Sequence, residues 1–289
     1  MALTNLDGVI ATARRVGYSD IDSLRRLARS AVVLTPGQVG NEASPFTSRL
    51  GGLPAMSASV AWPRRGGKSL AFIAQIDLGS QPDSAFQLGL PRDGLLLFFY
   101  DSEQSTWGFD PNDAGSFAVI HLPKEHETRL LDEWPKDLPE HARYPPCDLA
   151  SGETITLPAW ESVLIEDLHL DSEQLQAYQD LLEATGEDDD AGTPRGLLGG
   201  HPDQIQGDMM LECALVAAGL YCGDATAYED PRLPEIRKTA PDWRLLMQVP
   251  SVEEAGMMWG DLGCLYYWIH EEDLRARRFD RSWMILQCS

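Results

Sequence analysis

The chain is short of positive charge. Its 289 residues include 23 Lys and Arg against 45 Asp and Glu, which gives a formal net charge of −22 at pH 7. Nucleic acids and anionic membranes attract proteins through a positive field, because binding releases counterions from phosphate groups. The charge therefore argues against nucleic-acid and membrane partners. A basic protein is the partner that the charge favours.

Cysteine motifs and long apolar runs are also missing. The five cysteines include no CxxC pair, the spacing typical of zinc sites and redox motifs, so we expect free thiols in a reducing cytoplasm. No apolar run approaches the roughly 18 residues that indicate a membrane-spanning helix. The N-terminal residues lack the basic segment and apolar centre of a signal peptide. We expect a soluble, cytoplasmic protein.

The sequence contains no complete catalytic or cofactor-binding motif. The stretch RRGGKS (residues 64–69) ends like a P-loop, but Trp62 stands where that motif requires its first glycine. HExxH, EF-hand and GxSxG patterns are absent. Cys222 in GLYCGD is either a nucleophile paired with a distant histidine or a buried structural thiol. We assign no catalytic residue, metal or cofactor, and the sequence favours a binding protein over an enzyme.

Short apolar runs rich in aromatic and β-branched residues predict strands, and they occur twice in the same order. Each series follows a double glycine and a proline, in RLGGLP (residues 49–54) and in LLGGHP (residues 197–202). Gln75 and Gln248 occupy corresponding positions in the first long strand of each series. This repetition predicts an internal duplication. The predicted strands lie at residues 69–78, 94–101 and 116–122, and again at 242–249, 263–270 and 282–288.

Helical patterns surround these strands. Apolar residues recur at helical spacing through the first 34 residues, and residues 171–186 combine a capping box with a final glycine. A further buried helix is predicted to begin near Asp208. Residues 123–160 are rich in proline and charge, and they are predicted as loop with short helical turns.

We predict a mainly β fold of the α+β class. It is an internally duplicated fold of two related antiparallel halves, with N-terminal helices and inserted helices. The predicted organisation is an N-terminal helical segment (residues 1–47), a first β-rich half (48–170) and a second β-rich half (171–289) with helical insertions. We expect the halves to pack as one domain.

The acidic excess is concentrated in the second half of the chain. Residues 151–289 carry 9 basic and 27 acidic groups, whereas residues 1–150 carry 14 and 18. The densest cluster, EDDDAG, is either a solvated loop or a docking surface for a basic protein. In MMWGDLG, the tryptophan either packs at the edge of the core or, if exposed, anchors a partner. The candidate partner-binding residues are Glu187, Asp188, Asp189, Asp190, Trp259 and Asp261.

A polar turn after the second glycine pair allows a different function. His201 and Asp208 flank PDQIQG, whose residues either satisfy backbone groups and cap the next helix or line a small-molecule pocket between the halves. The candidate pocket residues are His201, Gln206 and Asp208, with Trp259 and Asp261 beside them.

Several stretches together resemble the YwqG-like family, a bacterial domain of unknown function. They are LGGLP, LAFIAQIDL and LPRDGLLLFFYD in the first half, and LLGGHPDQIQGDM, GLYCGD, MMWGDLGCLYYWI and EDLRARRFDRSWMILQC in the second. The resemblance runs from about Ser48 to Cys288. It implies a mainly β, internally duplicated fold, and it supplies no reaction, cofactor or catalytic residue.

The resemblance also implies an association with the immunity proteins of bacterial toxin systems. Together with the acidic charge, it favours a cytoplasmic immunity protein that neutralises a cognate toxin, a basic nuclease delivered by a type VI or contact-dependent secretion system. The alternative is a small-molecule-binding protein or an enzyme with a pocket between the halves. The N-terminal helices and the acidic cluster fall outside the motifs that carry the resemblance, so partner specificity is expected there.

Overall fold

The computed structural model describes residues 5–40, 44–186 and 194–289. The strands are β1 (Arg29–Val39), β2 (Arg49–Leu50), β3 (Ala55–Ser57), β4 (Arg64–Arg65), β5 (Lys68–Ser69), β6 (Ala71–Asp77), β7 (Leu95–Tyr100), β8 (Phe117–Leu122), β9 (Thr128–Leu130), β10 (Cys147–Thr156), β11 (Leu197–Gly199), β12 (Trp243–Pro250), β13 (Cys264–His270) and β14 (Trp283–Gln287). The α-helices are α1 (Leu6–Val16), α2 (Ile21–Leu27), α3 (Asp83–Gln87), α4 (Val163–Glu166), α5 (Ser172–Thr185), α6 (Met209–Ala217), α7 (Leu233–Arg237) and α8 (Glu271–Arg275). Short 3-10 helices lie at Leu78–Ser80, Pro111–Asp113, Glu140–Ala142, Ala225–Glu229, Ala240–Asp242 and Phe279–Arg281.

Ten of the strands form one sheet, in the order β14-β13-β12-β11-β1-β10-β2-β6-β7-β8. Every neighbouring pair in this sheet is antiparallel. Two small sheets stand apart from it and consist of β3 with β9 and of β4 with β5. The prediction of a mainly β, α+β fold is confirmed.

The large sheet contains the same arrangement of strands twice. β1, β2, β6, β7 and β8 form one unit, and β10, β11, β12, β13 and β14 form the other. β1, the first strand of its unit, pairs with β11, the second strand of the other unit. In the same way, β10 pairs with β2. β1 and β10 pair with each other at the centre. The two units therefore exchange their first strands, and β10 belongs to the second unit although it lies within residues 48–170.

The register of the pairing agrees between the two units. Gln75 of β6 pairs with Arg49 of β2, and Gln248 of β12 pairs with Leu197 of β11. Arg49 and Leu197 hold the same position relative to the glycine pair that follows them. The agreement in both strand order and register confirms the internal duplication.

The two corresponding glutamines make the same contact. Gln75 and Gln248 are fully buried. The Oε1 atom of Gln75 accepts a hydrogen bond from the backbone N–H of Ala55 at 2.9 Å, and Oε1 of Gln248 accepts one from the N–H of Asp203 at 2.9 Å. Each of these backbone groups directly follows the proline of its glycine turn. The glutamines thus attach both turns to the sheet in the same way.

The sheet curves so that its two end strands approach each other. Phe117 in β8 and Trp283 in β14 pack edge to face, with ring centroids 5.0 Å apart. Phe98 and Tyr267, one from each half, make a similar contact at 5.1 Å. The largest apolar core contains residues of both halves. A separate apolar cluster joins α1, α2 and α5.

The helical prediction for the first 34 residues extends too far, because β1 begins at Arg29. Ala28 already leaves helical conformation, with φ −60° and ψ 130°. Val32 and Val33 are β-branched and suit a strand. β1 also has a hydrogen-bonded neighbour on each side, β10 and β11, and this pairing overrides the local helical spacing.

The prediction of loop for residues 123–160 is wrong where β9 and β10 form. β10 runs over ten residues, most of them exposed or partly exposed, and it contains no apolar run. Its pairing with β1 along almost its whole length supplies the hydrogen bonds that hold it. A polar strand of this kind carries little signal in the sequence.

Two helix predictions are confirmed at their caps. In α5, Asp171 accepts a hydrogen bond from the N–H of Gln174 at 2.9 Å, and the Gln174 side chain accepts one from the N–H of Asp171 at 3.0 Å. Gly186 ends this helix with φ 75°. Asp208 is the N-cap of α6.

The domain boundaries at residues 47/48 and 170/171 stay predictions.

Candidate functional site

His201 lies in the second glycine turn and is fully buried. Its Nε2 atom is 2.7 Å from the carbonyl oxygen of Leu27, so Nε2 carries the ring proton and donates it. Its backbone N–H donates to Oγ1 of Thr156 at 2.8 Å. Burial, and after it the charge of Arg29, lower the pKa of His201 well below its usual range. The neutral ring therefore connects the turn to the end of α2.

Asp208 and Gln206 have different surroundings from His201. The two carboxylate oxygens of Asp208 accept hydrogen bonds from the N–H of Met210 at 2.6 Å and from that of Val163 at 2.5 Å. Burial raises the pKa of Asp208, and these hydrogen bonds oppose the rise. Gln206 has an exposed side chain, and its N–H donates to Oε1 of Gln287 at 3.0 Å. Asp208 therefore caps α6 as expected, whereas Gln206 contributes its backbone N–H and not its side chain to the contact with Gln287.

Trp259 is fully buried, which corrects the expectation that its side chain anchors a partner. Its indole N–H donates to the carbonyl oxygen of Pro250 at 3.1 Å. Its ring packs edge to face against Tyr100 and Tyr144, at centroid distances of 5.9 and 5.6 Å. An aromatic ring placed here fills the core under its own loop. Asp261, two residues later, is exposed.

Trp259 belongs to the connection between β12 and β13, residues 251–263, which we call the anchor loop. Val252 and Met257 exchange two backbone hydrogen bonds, of 2.8 and 3.0 Å. The hydroxyl of Ser251 accepts from the N–H of Trp259 at 2.9 Å and donates to the last carbonyl of the loop at 2.9 Å. These contacts, together with the buried indole, hold the loop in one shape.

The anchor loop presents apolar and acidic side chains at the surface. Met258 is 47% exposed and Leu262 is 57% exposed. The exposed acidic residues are Glu253, Glu254 and Asp261, and the loop contains no Lys or Arg. Leu262 has φ 50°, a left-handed conformation that costs a non-glycine residue roughly 1–2 kcal/mol. The strained backbone at Leu262 and the two exposed apolar side chains make the anchor loop a candidate interaction surface.

The MMWGDLG motif is visible in the sequence, but the exposure of Met258 and Leu262 is not. A loop has no periodicity, so the sequence does not tell which of its large residues face the core. The acidic cluster Glu187, Asp188, Asp189 and Asp190 lies outside the described residues.

Cys222 is a structural thiol. It is buried, and its thiol lies 3.6 Å from the carbonyl oxygen of Phe109. Burial, and after it the charge of Glu212, raise the pKa of Cys222 to about 12. A nucleophilic cysteine needs the thiolate form, which this environment disfavours.

A cavity of about 400 Å³ lies beside the second glycine turn, where the two halves meet. Arg244 pairs with Glu271 at 2.6 Å between Nη2 and Oε2, and Arg275 pairs with the same carboxylate. The lining residues are Ala28, Arg29, Ser30, Gln87, Leu88, Gly89, Gly200, Arg244, Glu271, Leu274 and Arg275. No sequence pattern indicates this group, because its arginines are far apart in the chain and meet only where β1 joins the second half.

A family comparison matches most of the chain. Residues 48–288 fit the model of a family described as a domain of unknown function, DUF1963. The chain belongs to the DUF1963 family. The match spans both halves, from the start of the first glycine turn to the end of β14. β1 and the helices before it precede the DUF1963 match, although β1 lies at the centre of the sheet. A comparison with curated proteins found no match.

Among the residues that the structure describes, no helix is both long enough and apolar enough to cross a bilayer.

Proposed function

We propose that this DUF1963 protein is a cytoplasmic immunity protein of the YwqG-like group, which binds and neutralises a cognate toxin. The toxin is a basic nuclease of a type VI or contact-dependent secretion system. The observation that carries the proposal is the surface of the anchor loop, on which Met258 and Leu262 are exposed and which also carries three exposed carboxylates.

The anchor loop has the composition of a binding surface for a basic protein. When a partner covers exposed apolar side chains, their removal from water lowers the free energy of the complex. A few such residues supply most of the affinity in many interfaces. Met258 adapts its shape to a partner because its side chain is unbranched and polarisable. The surrounding carboxylates favour a basic partner over an acidic one. The loop therefore combines affinity with a preference for positive charge.

The shape of the loop is set before binding. Its internal hydrogen bonds and the buried Trp259 fix the backbone, so little conformational entropy is lost when a partner binds. The net charge of −22 adds a long-range attraction for a positive partner, which raises the association rate. A nuclease has a positive cleft for phosphate groups, and an acidic protein that covers this cleft excludes the nucleic acid.

Co-expression tests this function in cells. The candidate toxin gene is the reading frame next to the gene that encodes this protein. This adjacent gene is expressed alone, with the wild-type protein, and with a charge-reversed variant that carries Glu253→Lys, Glu254→Lys and Asp261→Lys. We expect the adjacent product to be toxic alone, the wild-type protein to restore growth, and the variant to fail. Absence of a toxic neighbour, or toxicity that the wild-type protein leaves unchanged, contradicts the proposal.

A matched control separates the loop from total charge. The variant with Glu125→Lys, Glu127→Lys and Glu133→Lys changes three exposed acidic residues of the first half and adds the same charge. We expect this control to protect cells like the wild type. Equal loss of protection in both variants shows that overall charge acts, and that the anchor loop has no special part.

A further inference from the structure

The arginine-lined cavity has the chemistry of an anion-binding site. It lies between strand β1, the connection from β6 to β7, and the α8 segment of the second half. It is distinct from the anchor loop, so a function of this cavity does not depend on the partner proposed above.

Arg29 places an unpaired hydrogen-bond donor at the cavity. It lines the cavity, and its Nη1 atom is buried without a hydrogen-bond partner. Within the described ranges it forms no ion pair. A buried guanidinium that lacks an acceptor is costly, because the group loses its hydration without compensation. A bound oxyanion supplies the acceptor that Arg29 lacks.

The charges around the cavity also favour a bound anion. Its lining contains three arginines and one carboxylate, that of Glu271. Arg244 and Arg275 form close ion pairs with this carboxylate, whereas Arg29 feels its attraction without a direct ion pair. Burial, and after it repulsion from Arg244, lower the pKa of Arg29 to about 10. A local excess of positive charge in a chain of net charge −22 marks a place where an anion is favoured.

The duplication offers an internal comparison. Arg29 precedes Val32 by three residues, and Tyr144 precedes Cys147 by three, so the two residues correspond in the two units. Tyr144 packs against Trp259, with ring centroids 5.6 Å apart, and this side is filled by core residues. The corresponding space beside Arg29 is the open cavity. One copy of the junction is closed by aromatic rings, and the other is open and charged.

We propose that this cavity binds a small organic molecule that carries a phosphate or carboxylate group. The guanidinium groups of Arg29 and Arg275 hold the oxyanion, because a guanidinium presents paired donors to such groups. Leu88 and Leu274 provide apolar walls for the rest of the molecule. The volume of about 400 Å³ lies in the range of pockets that bind small molecules.

Thermal melting and calorimetry with three probes of similar size test the proposal. Phenyl phosphate and benzoate distinguish the two oxyanions, and benzyl alcohol is the neutral control. We expect at least one of the two anions to raise the melting temperature of the wild-type protein at low salt, by mass action, while benzyl alcohol leaves it unchanged. If neither anion does so, or if benzyl alcohol does so equally, the proposal is wrong.

Two variants place the binding in the cavity. We expect Arg29→Gln to lower the affinity for the bound anion about tenfold or more, the loss typical of one charged hydrogen-bond group. Arg281→Gln removes an exposed arginine outside the cavity, and we expect it to bind like the wild type. Wild-type affinity in Arg29→Gln overturns the assignment, as does an equal loss in Arg281→Gln.

Arg275→Gln tests the site if Arg29→Gln does not fold. The Arg275 side chain is 71% exposed, so its replacement leaves the core intact. We expect a weaker effect than for Arg29, about a threefold loss of affinity, because an exposed ionic contact is screened by water. Unchanged affinity in this folded variant contradicts the proposal.

Discussion

Gly200 lies so close to Thr156 that a Cβ atom on the glycine would be 2.6 Å from the threonine Oγ1. The same Cβ would lie 2.6 Å from the Cβ of Ala31. The glycine turn of the second half is therefore pressed against both central strands, β1 and β10. The glycines in LGG have a structural purpose at the junction of the halves.

We expect Gly200→Ala to lower the free energy of unfolding by about 3 kcal/mol, through left-handed strain and overpacking. Gly200 has φ 79°, and Gly115 has φ 86° with open space where its Cβ would be. Gly115→Ala therefore shares the strain but not the collision, and we expect it to cost about 1 kcal/mol. Urea unfolding of both variants measures the difference. Equal losses would show that the close approach to Thr156 does not matter.

The paired glutamines give a test of the duplication. Besides accepting from the turns, Gln75 donates to the carbonyl oxygen of Thr47 at 3.0 Å, and Gln248 donates to that of Arg195 at 2.7 Å. We expect Gln75→Leu and Gln248→Leu each to cost about 3 kcal/mol, because each leaves buried backbone groups without partners. Gln176→Leu at an exposed position should change stability by less than about 0.5 kcal/mol. A large loss in only one of the buried variants would argue against equivalent roles.

The burial of the Trp259 indole predicts a large loss of stability when this side chain is removed. We expect Trp259→Ala to cost about 3–5 kcal/mol, as for other large core residues. Trp160 is 38% exposed, and Trp160→Ala should cost clearly less. Chemical unfolding measures both. A small loss at Trp259 would mean that its ring does not fill the core.

Glu212 makes stability depend on pH. Burial, and after it the charge of Asp208, raise its pKa from 4.5 to about 8, and its Oε2 is buried without a partner. Between these two values the unfolded chain is ionised at this position while the folded protein holds the proton, so the group destabilises the fold increasingly as pH rises. Below pH 4.5 both states are protonated, and the effect vanishes.

We expect Glu212→Gln to remove this penalty. Relative to the wild type, the variant should gain stability from about pH 5 upwards and reach a plateau above about pH 8, with a gain on the order of 5 kcal/mol. Glu229→Gln, at an exposed position, serves as the control and should follow the wild type. Unfolding curves at pH 5 and pH 9 decide the matter, and a pH-independent difference would refute the assignment.

The strands that carry apolar runs were predictable, since burial on both faces requires a continuous stretch such as LLLFFY in β7. The equivalence of Gln75 and Gln248 was also visible, because both precede the same kind of strand end. β10 was not predictable, because its stability comes from pairing with β1 and not from its own residues. The exchange of first strands between the halves depends on contacts that no local pattern encodes.

The candidate sites follow the same division. The MMWGDLG motif directed attention to the anchor loop, but only the folded chain separates the buried Trp259 from the exposed Met258 and Leu262. The pocket was expected at His201, Gln206 and Asp208, but none of these three residues lines the cavity, which lies beside the preceding Gly200. The charged lining of the cavity includes Arg29, which precedes Gly200 in the sequence by more than half of the chain. The pairing of β1 with β11 brings the two residues to the same cavity.

The affinity of this protein for the product of the adjacent gene tests the central claim most directly. Calorimetry should compare the wild type with Met258→Ser plus Leu262→Ser, and with the control pair Val39→Ser plus Tyr221→Ser, which changes apolar side chains that are similarly exposed elsewhere. We predict that the loop pair weakens binding by about 100-fold or more, since two apolar anchors of about 1.5 kcal/mol each are lost. The control pair should bind like the wild type. Undiminished affinity in the loop pair, or no complex with the wild type, would contradict the account.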